Sequence, residues 1–190
     1  VIFLASVPQV LVVNSNLPFK TVQDVIAAAK ANPGKLTYGS SGNGAINHLT
    51  GQLFADMAGV QLQHVPYKGG APAATALLSG EIDMIFGEPA TLLANIASGK
   101  FRAIAVTSEK RSPAVPDLPA IAEFLPGFDV ISWTCVCGPA GLPREVAERM
   151  SALTKQALEH PDLVKAFSEQ GATAWYTSMA EISAFRAAQQ

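Results

Sequence analysis

Residues 36–48 read Leu-Thr-Tyr-Gly-Ser-Ser-Gly-Asn-Gly-Ala-Ile-Asn-His and gather groups whose types and spacing could do chemistry. The pattern predicts a buried strand, a Gly/Ser turn and the start of a helix. Such a turn aims free backbone N–H groups and the hydroxyls of Ser40 and Ser41 at one point, with the positive end of a helix dipole behind them. That is a receptor for an anion. Two nucleotide readings fail on their key residues. Gly39, Gly42 and Gly44 are not spaced as G-x-G-x-x-G, and Ala45 stands where the P-loop spacing of Gly39 and Gly44 needs Lys. A nucleophile elbow on Ser41 fails too, because the residue two positions later is Asn43.

Two further turns carry polar groups. Tyr67, Lys68, Gly69 and Gly70 follow the next predicted strand, and Gly87 with Glu88 follows the one after. Ligands of open α/β sheets sit beyond the carboxyl ends of the strands, so these turns are expected to share one edge. Lys68 could neutralise a carboxylate or be solvated; Tyr67 and Trp133 could floor a pocket or pack as core. Of the three histidines, His48 is expected to make a local hydrogen bond on a helix face. His64 alternates in phase with Val60 and Leu62 and is expected near the core, and His160 precedes a helix start. No His, Cys, Asp or Glu spacing matches a zinc site, and Asp83 and Glu88 do not form an acid/base pair by position. Cys135 and Cys137 are expected as two buried free thiols, since bridging i and i+2 on a strand strains the disulfide.

The elements that must position these groups follow from periodicity and turn residues. Strands are predicted over residues 10–13, at 36–38, over 60–65, 82–86, 101–107 and 129–137. Helices are predicted from Thr21 to Ala31 behind a capping box, from about Ile46 to Gly59, and over 71–78. Others are predicted from Pro89 to Ile96, from Pro143 to Leu158 and from Pro161 to Gln170, with a last one behind Ser178 and Glu181. On the second helix Ile46, Leu49, Leu53, Phe54 and Met57 make the expected apolar stripe. Strands alternating with helices argue for a parallel sheet covered on both faces. Residues 112–119 and 14–18 are the expected crossings between two lobes.

The chain has 190 residues, 49% of them hydrophobic and 15% charged, enough for a sizeable core. A net charge of −2 without a basic run argues against nucleic acid as a partner. No apolar run approaches the roughly 20 residues of a membrane span. The first residues lack the basic region of a signal peptide, and the start without Met is expected of a fragment or a processed product.

The motifs, taken as an ordered set, resemble one family. They are Tyr-Gly-Ser-Ser-Gly-Asn-Gly at 38–44, His-Val-Pro-Tyr-Lys-Gly-Gly at 64–70, Gly-Glu-Ile-Asp at 80–83 with Phe86, and Ala-Val-Thr-Ser at 105–108. Arg111, Ser112 and Pro113 follow, then Leu118, Pro119 and Glu123, Pro-Gly-Phe at 126–128, Ser132 with Trp133, and Pro-Ala-Gly at 139–141. The set is similar to the Bug or TctC periplasmic substrate-binding proteins of tripartite tricarboxylate transporters. The resemblance implies an α/β fold of the type II periplasmic-binding-protein kind: two lobes with mostly parallel central sheets and flanking helices. Residues 16–126 would form the second lobe, and residues 1–15 with 127–190 part of the first, whose beginning would be absent. It implies a monomer that captures a small carboxylate between the lobes and delivers it to membrane permease subunits. It implies no catalysis, no cofactor or metal, no nucleic acid and no insertion into the membrane. Ser40, Ser41, Gly42, Asn43, Gly44, Asn47, Tyr67, Lys68, Gly69, Gly70, Gly87 and Trp133 are the expected ligand-binding residues. Gly87 departs from the family's usual acidic residue, with Glu88 beside it, which weakens the case for an amino-acid-like solute. Incompleteness of the first lobe is expected to leave apolar surface uncovered. An α/β enzyme or a ligand-sensing domain built on the same anion turn is the alternative.

Overall fold

The computed structural model describes residues 2–177, 181, 182 and 185. The chain divides into two compact units, Pro8–Ile131, and Val1–Val7 together with Ser132–Gln190. The sequence reading places these boundaries at 15/16 and 126/127.

The larger unit is a five-stranded sheet with helices on both faces. Its elements in chain order are β2 (Val10–Asn14), α1 (Val22–Ala31), β3 (Thr37–Ser40), α2 (Ile46–Ala58), β4 (Gln63–Pro66), α3 (Gly70–Ser79), β5 (Met84–Gly87), α4 (Pro89–Ala97) and β6 (Phe101–Val106). The strand order is β4-β3-β5-β2-β6. β3 pairs parallel with β4 and β5, whereas β2 runs antiparallel to both β5 and β6. Every residue of β2 is buried, as an apolar run between two partners and two helical layers must be. Alternation divides the core. Val10, Val12 and Ile85 pack with Ala73, Leu77 and Leu92 of α3 and α4 on one face. Leu11, Val13, Met84 and Phe86 pack with Val22, Val25 and Phe54 of α1 and α2 on the other.

Local signals explain most boundaries. Thr21 and Asp24 form the expected capping box of α1. α2 and α3 end at Gly59 and Gly80, whose φ of 62° and 78° suit glycine. Asp83 accepts from the Thr37 N–H and hydroxyl, each at 2.8 Å, so its carboxylate knits β5 to β3. Arg102 donates to the carbonyls of Ser15, Leu17 and Phe19 and holds the connection after β2.

One face was expected the other way round. On α2 the residues turned inward are Asn47, Thr50, Gly51, Phe54, Ala55 and Ala58. Of the expected stripe only Phe54 is buried; Ile46, Leu49, Leu53 and Met57 are exposed. The reason is Tyr38, whose ring lies fully buried against α2. A Cβ at Gly51 would stand 2.2 Å from its Cε2, so small residues must face the sheet there.

The second unit holds β1 (Ile2–Pro8), β7 (Ile131–Val136), α5 (Arg144–Leu158), α6 (Pro161–Glu169) and β8 (Thr173–Ala174), with strand order β7-β1-β8. The sequence reading has no strand at β1, whose burial lacks period-2 alternation. Phe3 is its aromatic centre, stacked 4.8 Å from Trp175 and edge-on to Trp133 at 5.1 Å. Leu142, Val146, Met150, Leu153 and Val164 are exposed. The two thiols are not buried as expected: Cys135 is half-buried on β7, a strand with exposed positions on both faces, and Cys137, just past its end, is exposed. Their sulfurs lie 3.6 Å apart. The capping box at Ser178 lies outside the described residues.

Candidate functional site

Parallel strands β3 and β5 end at the same edge of the sheet, and β2 starts there, since Val10 pairs with Gly87. The chain leaves β3 and β5 into α2 and α4, and the turn after β4 leads into α3. The N-termini of these three helices meet at a cavity of about 210 Å³. Ile46 and Asn47 of α2, Gly70 and Ala73 of α3, and Glu88 and Thr91 at the start of α4 line it, with Ser41, Gln9, Ile85, Phe86 and Gly87 completing the walls.

The electrostatics follow from the helix ends. The N-cap residues Ala45, Gly69 and Glu88 make no side-chain cap hydrogen bond, so side chains do not satisfy the leading N–H groups. Each helix N-terminus acts as roughly half a positive charge, so three together supply about one and a half. No Lys or Arg is among the lining residues. Glu88, exposed at the start of α4, is the one charged residue of the lining and opposes an anion beside it; away from its carboxylate, backbone dipoles and neutral donors favour one.

Asn47 organises one wall. Its Oδ1 accepts from both the N–H and the hydroxyl of Ser41, each at 3.1 Å. The carbonyl end being occupied, the NH₂ end is the part left for the cavity. Ser41 spends its proton on Asn47, so its hydroxyl positions the turn.

The rest of the turn is held from below. Ser40 is fully buried; its hydroxyl donates to the Gly42 carbonyl, accepts from the Gly42 N–H, and lies 2.6 Å from His64 Nε2. The Gly44 N–H donates to His48 Nδ1 at 3.1 Å, the expected local bond. The rings of His48 and His64 stack with centroids 4.0 Å apart. Burial first, and then the neighbouring His48, hold the His64 pKa below its ordinary value. Gly42 and Gly44 have φ of 139° and 77°, the region in which glycine turns the chain most readily. The Ser–His pair is therefore a support beneath the turn, with its serine sealed from solvent.

The expected site residues divide into two groups. Ser41, Asn47, Gly70 and Gly87 line the cavity. Ser40, Gly42, Asn43, Gly44, Tyr67, Lys68 and Gly69 do not, although all but the last three belong to its supporting turn. Tyr67 turns its hydroxyl away, donating to Glu81 at 2.9 Å. Burial, with that carboxylate, pushes its pKa up to about 12. Lys68 is exposed. Trp133 belongs to the other unit. Gln9 and Thr91 line the cavity without having been expected there. For Gln9 a signal existed: a polar residue wedged between Pro8 and the apolar run of β2. Among the described residues no group of three His, Cys, Asp or Glu could hold a metal, and no helix is long and apolar enough to cross a membrane.

Comparison with known proteins bears on what this geometry serves. The family described as tripartite tricarboxylate transporter family receptor matches residues 1–190. A UPF0065 protein encoded in the tcbD-tcbE intergenic region of Pseudomonas sp. (strain P51) is 41% identical over 173 residues, covering 90% of this chain and 52% of that protein. The chain thus spans about half the length of that relative. Rpa4515 of R. palustris, solved with adipate, superposes with a TM-score of 0.91 at 33% identity, over 99% of this chain and 63% of that one. MatC (Rpa3494) from Rhodopseudomonas palustris, solved with bound malate, gives a TM-score of 0.77 at 26% identity, over 90% and 59%.

Proposed function

The chain belongs to the tripartite tricarboxylate transporter receptor family, and on that premise we propose that it captures a small carboxylate in this cavity and delivers it unchanged to a membrane permease. The observation that carries the reading is the meeting of three helix N-termini, without side-chain caps, on one cavity whose lining holds neutral donors and a single charge, Glu88. A carboxylate matches that field in sign and presents several acceptor lone pairs to N–H groups. The volume, about 210 Å³, lies below the ~300–1,000 Å³ of drug-sized sites and suits a small acid. Adipate and malate in the solved relatives support the same class. The place of action is the periplasm, where such a receptor meets its solute before the permease. Ser40, Gly42, Asn43 and Gly44 shape the turn, while Ser41, Asn47, Gly70 and Gly87 form the wall that the solute meets. Glu88, at the start of α4, disfavours a second carboxylate beside it and favours a hydroxyl or an ammonium there.

Native mass spectrometry of the purified protein, followed by calorimetric titration with malate, adipate and aromatic acids, tests the reading. Saturable binding of at least one carboxylate is expected. A protein that binds none of them and instead hydrolyses an ester or a phosphate is an enzyme, and the proposal is then wrong.

A further inference from the structure

Gln9 lines the cavity although it is only 1% exposed. Its backbone is locked in place: the N–H donates to Thr107 Oγ1 at 2.8 Å, and the carbonyl accepts from the Thr107 N–H at 2.9 Å. One end of its side chain is held as well, with Oε1 2.8 Å from Thr50 Oγ1. No hydrogen bond to a described residue holds the amide nitrogen, and the cavity that Gln9 lines is its outlet. A donor that opens only on a small cavity gains from an acceptor placed there, and a solute oxygen supplies one.

The orientation of the carboxamide follows from the bonds around it. Thr50 Oγ1 also lies 2.7 Å from the Ile46 carbonyl, and its single proton serves one acceptor at a time. With an acceptor in the cavity, Gln9 turns Nε2 to the solute and Oε1 to Thr50, and Thr50 then donates to Gln9. We propose that Gln9 is a specificity-determining residue of this site, donating its side-chain N–H to an oxygen of the bound solute, with Thr50 as its positioning residue. The proposal rests on the carboxylate reading and deepens it. A solute end that lacks an oxygen acceptor leaves the Gln9 N–H groups unfilled and is rejected on that ground.

The test is calorimetric titration of the whole protein with malate and adipate, in the wild type, Gln9→Met, Gln9→Glu, Thr50→Val and the Gln9→Met/Thr50→Val pair. NMR of the ¹⁵N-glutamine-labelled wild type runs beside it. Gln9→Met is expected to weaken binding about tenfold to a hundredfold. Gln9→Glu is expected to weaken it further at neutral pH and to recover part of the loss as the introduced carboxyl protonates. Thr50→Val should weaken binding less and add little to Gln9→Met, a coupling that loss of packing alone does not produce. In the wild type the Gln9 side-chain amide resonances should shift on adding acid. Wild-type binding with an unchanged Gln9→Met affinity overturns the proposal and leaves the carboxylate reading standing. Should the Gln9 variants not fold, stationary amide resonances in a saturated wild type overturn it equally. A wild type that binds no carboxylate overturns both.

Discussion

Replacing Asn47 by Asp separates the two jobs assigned to that side chain. Asn47 is the second residue of α2, 9% exposed, with Oδ1 accepting two bonds from Ser41 and its nitrogen left for the cavity. Aspartate keeps an acceptor for Ser41 and converts the cavity-facing donor into a charged oxygen. Near a helix N-terminus a carboxylate gains roughly 0.3–1 kcal/mol, and its bonds from Ser41 become charge-assisted. Desolvation opposes both, so folding stability should change by less than about 1 kcal/mol. The solute meets the opposite balance. Two negative charges about 4 Å apart repel by about 4 kcal/mol at an effective dielectric of 20, which is about a thousandfold in affinity. Asn47→Ala is the contrasting variant. It strips Ser41 of its acceptor and should cost about 1–3 kcal/mol of stability, with a smaller loss of binding than Asp causes. Thermal denaturation and titration with malate or adipate measure both quantities. An Asp variant that binds either acid with near wild-type affinity refutes the placing of Asn47 in the anion's field.

Gly51→Ala should lower stability by about 1–2 kcal/mol, although alanine gains about 1 kcal/mol in helix propensity, because overpacking against the buried Tyr38 ring costs more; a raised Tm would contradict the packing argument. The depressed pKa of His64 means that the unfolded chain takes up its proton first. Stability should therefore be level above the ordinary value of 6.5 and fall as pH drops below it through the folded pKa, a component that His64→Gln should lack in a Tm series from pH 8 to 5. Thr37→Val removes the hydroxyl that donates to Asp83 and accepts from its N–H; about 1–3 kcal/mol of stability should go with no change in solute affinity, read by denaturant titration and calorimetry.

What the sequence by itself determined was local. The Thr21 and Asp24 box, the glycines closing α2 and α3, the alternation of strands and helices, and the anion preference of the turn at 40–44 depend on neighbours within a few residues. The family was legible for the same reason, since its motifs are short and ordered along the chain. Tertiary structure decided which local features meet. β2 inserts between β5 and β6, and that carries Gln9, some thirty residues before the Ser41 turn, into the cavity wall. The buried face of α2 was decided by Tyr38 pressing on Gly51, so counting apolar residues selected the wrong side. Tyr67 and Lys68 share a turn with Gly70, yet a bond to Glu81 and solvent exposure take them elsewhere. A helix end attracts an anion wherever it occurs, but three ends add up only when the order of strands brings them to one point, and that order is set by pairing between residues far apart in the chain.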